Sequence, residues 1–208
     1  KLFRNANLGI MTRGNLNYDG VRTSTQLSLF SRATWRNFMS SSLNLNCNLR
    51  AQSDNLTRGG PLMATPAGCE VRSSLSNNFA SATTWRIEVN GSKSEADDWR
   101  LQLEGRLSFR PTSAVSISLT PEYSRQRNTR QYLTQLDGGS AATYGQRYLF
   151  GSIERSDLKA QLRVNYTFSP NLTLEAYAEP FAASGKYTAV VDALRFQEEL
   201  LHAIGRLE

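Results

Sequence analysis

The sequence lacks any run of 18 consecutive apolar residues, which excludes a membrane-spanning helix. Hydrophobic residues make up only 39% of the 208 residues, and the mean hydropathy is −0.45. Taken alone, these values are typical of a soluble protein. They are also typical of a membrane-embedded β-barrel, because its polar inner face offsets its apolar outer face. Bulk composition therefore leaves both classes open.

Residues that commonly carry catalysis or bind metals are also scarce. The chain has one histidine, His202 near the C-terminus, and two cysteines, which cannot form a zinc site without further histidines. It has no Gly-x-Ser-x-Gly element. Glu175 and Glu179 have the residue type of glycosidase carboxylates, but alternate positions on a polar strand explain them more simply. We therefore expect no metal, no cofactor and no enzymatic activity.

The N-terminal sequence KLFRNANLGIMTR has neither the apolar centre nor the small-residue cleavage site of a signal peptide. It alternates like a strand and begins at Lys1 rather than at a methionine. We expect a mature or truncated product.

The net charge is +6, from 24 Lys and Arg against 18 Asp and Glu. The basic residues recur singly, one or two per strand candidate, and are interleaved with glutamates. A nucleic-acid-binding protein would concentrate them in one patch. The spacing indicates a mixed-charge polar face, and we expect no nucleic-acid partner.

The clearest pattern in the chain is an unbroken alternation within residues 157–181. Apolar side chains occupy every second position from Leu158 to Phe168, with polar or charged side chains between them. The turn tripeptide Ser169-Pro170-Asn171 follows, and a second alternation runs through residues 172–178. This pattern predicts a β-hairpin. Its strands, about 11 residues each, are longer than most soluble strands and long enough to cross a bilayer at a tilt.

Similar patterns recur and predict an all-β, antiparallel up-and-down transmembrane β-barrel, or part of one, with about 8–10 strands. The strand candidates are residues 1–13, 21–35, 43–50, 69–79, 85–90, 99–109, 114–125, 157–168 and 172–178. Two long connections interrupt them. Residues 53–66, rich in Gly, Pro, Asp and Asn, predict a surface loop, and residues 126–156 predict a long extracellular β-excursion around a Gly-rich tip.

An internal repeat appears at an offset of 59 residues. The Phe109-x-Pro111 element recurs as Phe168-x-Pro170, and Pro121, ten residues after the first proline, recurs as Pro180. The repeat predicts two similar hairpin turns on the same side of the sheet, with an even number of strands between them. The long connections then belong to the opposite side.

Two pairs of side chains allow more than one interpretation. Trp85 and Trp99 lie near strand ends, where they form either an aromatic belt at a membrane interface or ordinary contacts in a sheet core. Cys47 and Cys69 flank the loop at 53–66 and lie nearly opposite each other on adjacent strands. They form either a disulfide in an oxidising compartment or two free, lipid-facing thiols.

The last residues depart from the strand pattern. Leu194, Glu198, Leu201 and Ile204 have helical spacing. We therefore divide the chain into a β-barrel segment at residues 1–190 and a helical or irregular tail at residues 191–208. A barrel normally ends on a strand, so this tail is interpreted as a plug, a periplasmic helix or the result of truncation.

The string LTRGGPLM at residues 56–63, followed by Pro66-Ala67-Gly68, resembles a loop signature of bacterial outer-membrane barrels of unknown function. Residues 148–154 and 162–185 resemble the C-terminal half of the same family. The resemblance implies a barrel that follows a carbohydrate-binding-like N-terminal domain and is related to TonB-dependent receptor barrels. Cys69 departs from the aromatic residue expected there. No such domain precedes Lys1, so we expect a fragment of a larger barrel.

These features predict a bacterial outer-membrane protein, and its charged side chains are expected to line the lumen of a pore or transport barrel. The predicted lumen-lining residues are Arg72, Arg86, Glu88, Arg100, Glu104, Arg106, Lys159, Arg163, Glu175 and Glu179. A hairpin register centred near Glu95 would place Arg86 opposite Glu104 and pair these charges.

The alternative function is a non-conducting barrel that acts as an anchor or a surface recognition platform. Its long connections would carry recognition, and Arg125, Arg127 and Arg130 would contact lipopolysaccharide or simply form a solvated rim. The expected partners are the lipid bilayer, lipopolysaccharide and other barrel segments or subunits that complete the barrel. A soluble β-sandwich is the alternative fold.

Overall fold

The computed structural model of the protein describes residues 2–192, and the regular elements in this range are β-strands apart from one 3-10 turn at Ala141–Thr143. The strands are β1 (Phe3–Leu16), β2 (Arg22–Trp35), β3 (Ser40–Asn48), β4 (Ala51–Ser53), β5 (Met63–Thr65), β6 (Gly68–Ser76), β7 (Thr83–Ser94), β8 (Trp99–Thr112), β9 (Val115–Asp137), β10 (Gln146–Ser169), β11 (Leu172–Ala178) and β12 (Phe181–Asp192). In this part of the chain no helix is long and apolar enough to cross a membrane.

Ten strands form one antiparallel sheet in the order β1-β2-β3-β6-β7-β8-β9-β10-β11, and β12 also pairs with β10. β11 and β12 run along the same side of β10 and are separated by Glu179 and Pro180 alone. β4 and β5 form a separate small hairpin. The prediction of an all-β, antiparallel fold is confirmed. Within residues 2–192 no pairing joins β1 to β11 or β12, so the sheet has two free edges.

The connections are distributed unequally between the two ends of the strands. One end, the turn edge, carries the short connections at residues 36–39, 77–82, 113–114 and 170–171. The opposite end, the loop edge, carries residues 17–21, 49–67, 95–98 and 138–145. Both Phe-x-Pro elements lie at the turn edge, with β9 and β10 between them. As predicted, the two Phe-x-Pro elements mark short turns at the same edge of the sheet. The long connections lie at the opposite edge.

The two long strands β9 and β10 extend beyond the rest of the sheet. The pairing of β8 with β9 ends at Arg127, whereas β9 and β10 remain paired as far as Asp137 and Gln146. The excursion predicted for residues 126–156 is thus a β-hairpin continuous with the sheet. The predicted loop at 53–66 includes β5, which pairs with β4 at the base of this connection.

Few hydrophobic side chains within residues 2–192 are buried, and those that cluster lie on the β9–β10 extension and in the connection 49–67. Among the described residues the buried hydrophobic cluster is Met63, Tyr148 and Phe150, with Leu56 and Tyr132 packed against it. The segment at 54–63 therefore packs on the β9–β10 extension.

The predicted helical tail is not part of this description. Val191 and Asp192, its first two residues, belong to β12. Residues 193–208 lie outside the described residues.

Candidate functional site

The strand registers divide the side chains of the main sheet into two surfaces of opposite character, because successive side chains of a strand point to opposite faces. Nine of the ten residues predicted to line a lumen lie on one surface, which we call the polar face. The tenth, Glu179, lies between β11 and β12 and accepts a hydrogen bond from Gln161 of this face. Most leucine, valine, isoleucine and aromatic side chains occupy the other surface, the apolar face. Phe30, Tyr177 and Phe181 are aromatic side chains on the polar face. Alternation alone was sufficient to assign the nine residues to a common face.

The polar face carries its charges in rows that run across the strands. Glu88 on β7 lies directly opposite Glu104 on β8, which lies directly opposite Glu122 on β9. Lys159 on β10 continues this row beside Glu122. In the next row toward the turn edge, Arg86 lies opposite Arg106. Neighbouring strands are about 4.8 Å apart, so like charges are adjacent across the strands.

The predicted pairing of Arg86 with Glu104 is wrong. The hairpin closes through Ser94 and Asp98, whose backbone N–H and carbonyl are 2.9 Å apart. This leaves the three-residue loop 95–97, in which Asp97 adopts the left-handed conformation with φ 60°. Such a loop is a common hairpin connection, and it centres the register on Ala96 instead of Glu95. The shift places Arg86 opposite Arg106.

Most ion pairs of these rows therefore join two residues of the same strand. Arg86 and Glu88 are 3.0 Å apart, and Arg106 and Glu104 are 3.6 Å apart, each pair on a single strand. Arg72 reaches Glu70 at 3.3 Å on its own strand and Glu88 at 3.7 Å on the next.

Lys159 and Glu122, neighbours within the row, form a cross-strand ion pair of 2.9 Å. Glu122 also accepts a hydrogen bond of 2.9 Å from Gln102. Each glutamate of the row thus has its own cation.

A cleft of about 660 Å³ opens on the polar face where β8, β9, β10 and β12 meet. Its lining includes Arg100, Lys159 and Glu179 from the predicted set. It also includes Glu122 and Asp157, which sequence reasoning did not select although both continue the alternation of their strands. Arg155 and Asp157 form an ion pair of 2.9 Å in this cleft. The result is a surface of alternating sign that can hold ions or polar solutes.

The two glutamates considered as glycosidase carboxylates have different surroundings. Glu175 lies opposite Asn165. Glu179 accepts hydrogen bonds from the Tyr177 hydroxyl and from Gln161, the latter at 3.0 Å. Among the described residues no three Asp, Glu, His or Cys side chains are grouped so that they could hold a metal ion.

The apolar face is largely exposed. Leu103 is 42% exposed, Ile87 54% and Leu158 55%. Aromatic side chains collect on this face near the turn edge, where the ring centroids of Phe3 and Trp35 are 4.7 Å apart and those of Tyr166 and Phe168 are 4.3 Å apart. The further aromatic residues there are Trp85 and Phe109, and those toward the loop edge are Trp99 and Tyr123.

Cys47 and Cys69 also lie on the apolar face. They are directly opposite each other on β3 and β6, with 4.1 Å between their Cα atoms, and they form a disulfide. The bond therefore closes the connection 49–67 at its base.

The connection 49–67 is tied to the β7–β8 turn by Glu95. Its carboxylate accepts two hydrogen bonds of 2.7 Å from the Arg50 guanidinium and one of 2.8 Å from the Ala67 N–H. The bonds from Arg50 are the main cause that lowers the pKa of Glu95 below its usual value, and they outweigh the opposing effect of partial burial.

The arginines predicted to contact lipopolysaccharide divide into two groups. Arg130 is 3.0 Å from Asp98, whose carboxylate also accepts hydrogen bonds from Thr129. It therefore fastens the β7–β8 turn to β9. Arg125 and Arg127 lie on the same surface as the apolar face, in the two rows nearest the loop edge.

The geometry defines an antiparallel β-sheet protein with one charged and one exposed apolar surface. Residues 1–199 match the family model described as a domain of unknown function, DUF5916, and the chain belongs to this family. No curated protein and no solved structure matches the chain.

Proposed function

We propose that this chain forms part of the wall of an outer-membrane β-barrel, with the apolar face toward lipid and the polar face toward a charged lumen. The observation that carries the proposal is the exposed apolar face, which spans the main sheet. Soluble monomers rarely expose contiguous apolar patches larger than a few hundred Å². Lipid is the occupant that matches a continuous aliphatic surface bordered by aromatic side chains.

The height of the apolar face agrees with a bilayer. On β8 it extends from Trp99 to Phe109, a distance of ten residue-to-residue steps of about 3.3 Å, or about 33 Å along the strand. At a strand tilt of about 40° this corresponds to about 25 Å, the height of the apolar band in outer-membrane barrels. Trp99 and Phe109 then lie at the two interfaces.

The free edges of the sheet support a barrel that continues past it. β1 and the β11–β12 side are free edges, and unsatisfied backbone groups at a strand edge are costly in lipid. We propose that additional strands, from this protein or from other subunits, pair with these edges and close the barrel. The long connections at one edge then face the cell exterior, as in bacterial barrels.

Cysteine labelling in a Cys47→Ala/Cys69→Ala background tests this orientation. Single cysteines at Leu103 and Gln102, neighbours on β8, would be spin-labelled in the full-length protein reconstituted in bilayers. We expect the label at 103 to be accessible to oxygen dissolved in lipid and the label at 102 to a water-soluble nickel reagent. Equal access of the aqueous reagent to both labels would contradict the proposal.

We further propose that the barrel is a pore or transport barrel, and the cleft and charged rows of the polar face favour this role. A non-conducting anchor or recognition platform is the second candidate, because the packed cluster of Met63, Tyr148 and Phe150 gives the connections a fixed shape. Planar-bilayer conductance of the full-length protein distinguishes the pore from the platform. Ion-selective conductance whose selectivity changes in the Glu104→Gln variant would support the pore. A correctly folded barrel that shows no conductance would support the recognition platform.

A further inference from the structure

On β9 and β10 the apolar face ends toward the loop edge two rows before it ends on β8. Its last row of mainly apolar side chains contains Val89, Leu103, Tyr123, Leu158 and Ala182. One row further, Leu101 on β8 is still apolar, whereas the β9 position is Arg125 and the β10 position is Ser156. The following row contains Lys93, Trp99, Arg127, Glu154 and Lys186. The surface thus changes from aliphatic to charged within two rows.

The charges at this boundary are unbalanced. Four cations, Lys93, Arg125, Arg127 and Lys186, share this surface with one carboxylate, Glu154. The pairing of that carboxylate with Arg125 is long, at 3.7 Å. The Nε of Arg127 is buried and has no hydrogen-bond partner in the described part of the chain. The group has an excess of positive charge and a donor without an acceptor.

A cleft of about 230 Å³ lies at the same place. Tyr123, Arg125, Glu154, Ser184 and Lys186 contribute to its lining. The aliphatic row with Leu103 and Leu158 is two residues below Arg125, about 7 Å along the strand. An acyl chain on that row and an anionic headgroup in the cleft are therefore within the dimensions of a single lipid.

We propose that this cluster binds the phosphate groups of the outer-leaflet glycolipid, lipopolysaccharide. The inference rests on the proposed function, since the loop edge faces the exterior only in an outer-membrane barrel. Arginine and lysine are the side chains that recognise phosphate, arginine by paired N–H donors and lysine as a point charge. Arg125 and Lys186 line the cleft and supply such donors, and the Tyr123 ring lies where the headgroup meets the acyl chains.

Native mass spectrometry of the full-length protein in detergent, titrated with bisphosphorylated lipid A, tests the site. Removing a cation at a membrane surface weakens binding by about fivefold. We expect Arg125→Gln/Arg127→Gln to lower the affinity by about 25-fold and Lys186→Gln by about fivefold. The matched control, Arg13→Gln/Arg32→Gln, removes two arginines from the polar face and should change the affinity by less than twofold. Wild-type protein should discriminate against dephosphorylated lipid A.

Several outcomes would overturn the inference. These are equal affinity for lipid A with and without phosphates, wild-type affinity in both cluster variants, or displacement of lipid A by millimolar inorganic phosphate. The comparison of the two lipids on wild-type protein does not depend on the folding of any variant. Failure of the wild-type chain to insert into bilayers would refute the proposed function and this inference together. Insertion with phosphate-independent lipid binding would refute this inference alone.

Discussion

Glu104 lies directly between two other glutamates, Glu88 on one neighbouring strand and Glu122 on the other. Like charges directly opposite on adjacent strands are destabilising, by roughly 0.2–1 kcal/mol per pair. The ion pair between Glu104 and Arg106 is 3.6 Å long and more than half exposed at the arginine, so it offsets little of this cost. The row therefore persists at some cost to stability.

We expect Glu104→Gln to stabilise the protein by about 0.5 kcal/mol, because it removes two like-charge contacts and one weak ion pair. Urea unfolding in detergent, followed by tryptophan fluorescence, measures the change. Glu175→Gln is the matched control, since Glu175 lies opposite Asn165 and should gain nothing. The gain should shrink at high salt, where charge repulsion is screened. Destabilisation by more than 1 kcal/mol would contradict this account.

The disulfide between Cys47 and Cys69 closes a loop with a sequence separation of 22 residues. Loss of a disulfide that closes a loop of this size costs about 3 kcal/mol in the chain-entropy description. We expect Cys47→Ala/Cys69→Ala to lose about this much stability in urea unfolding. Dithiothreitol should destabilise the wild type by a similar amount and leave the variant unchanged. An effect of dithiothreitol on the variant would show that the loss has another cause.

The contact of Glu95 with Arg50 and Ala67 should depend on pH. Because the pKa of Glu95 is lowered in the folded state, its contribution to stability is present above the ordinary glutamate pKa. The contribution is lost as the pH falls through the lowered value. We expect amides in the connection 49–67 to exchange hydrogen faster, relative to the intrinsic rate, below that pH.

Glu95→Gln provides the control for the pH dependence. In this variant the amides of the connection 49–67 should exchange hydrogen faster at neutral pH. Their exchange should also increase less when the pH is lowered. A full acid response in Glu95→Gln would assign the titration to another group.

Gly60 allows the connection 54–63 to approach Tyr148 closely. A Cβ at this position would lie 2.4 Å from the Tyr148 Cζ, and Tyr148 is only 4% exposed, so its ring has little room to move. We expect Gly60→Ala to weaken this packing by about 1–3 kcal/mol, as overpacking does elsewhere. Limited proteolysis should cut residues 54–62 faster. Gly91→Ala, where a Cβ meets open space, should leave the cleavage rate unchanged.

Local sequence features predicted most of the strands, several turns and the composition of each face. The turn at Asn17–Val21 is an example. Gly20 adopts φ 76°, and the Asn17 side chain accepts hydrogen bonds from the N–H groups of Asp19 and Val21. The dipeptide Asp19-Gly20 is a strong turn signal, and this turn depends on only these few neighbouring residues. The offset repeat likewise located two similar turns at one edge.

Rows across the sheet could not be predicted in the same way. Moving the hairpin centre from Glu95 to Ala96 replaces Arg86–Glu104 with Arg86–Arg106, although both registers keep every side chain on the same face. The packing of Tyr148 against Met63 joins residues 85 positions apart, and no periodic pattern links them. Glu122 and Asp157 were missed because their importance depends on the strands beside them.

The sequence by itself determined which face each strand residue occupies, because side-chain alternation is a property of a single extended strand. Only the tertiary structure decided which residues become neighbours across strands. It brought Glu88, Glu104 and Glu122 into one row and placed Arg125 and Arg127 at the border of the apolar face. These relationships follow from turn conformation and strand register, which are fixed by hydrogen bonds between distant parts of the chain.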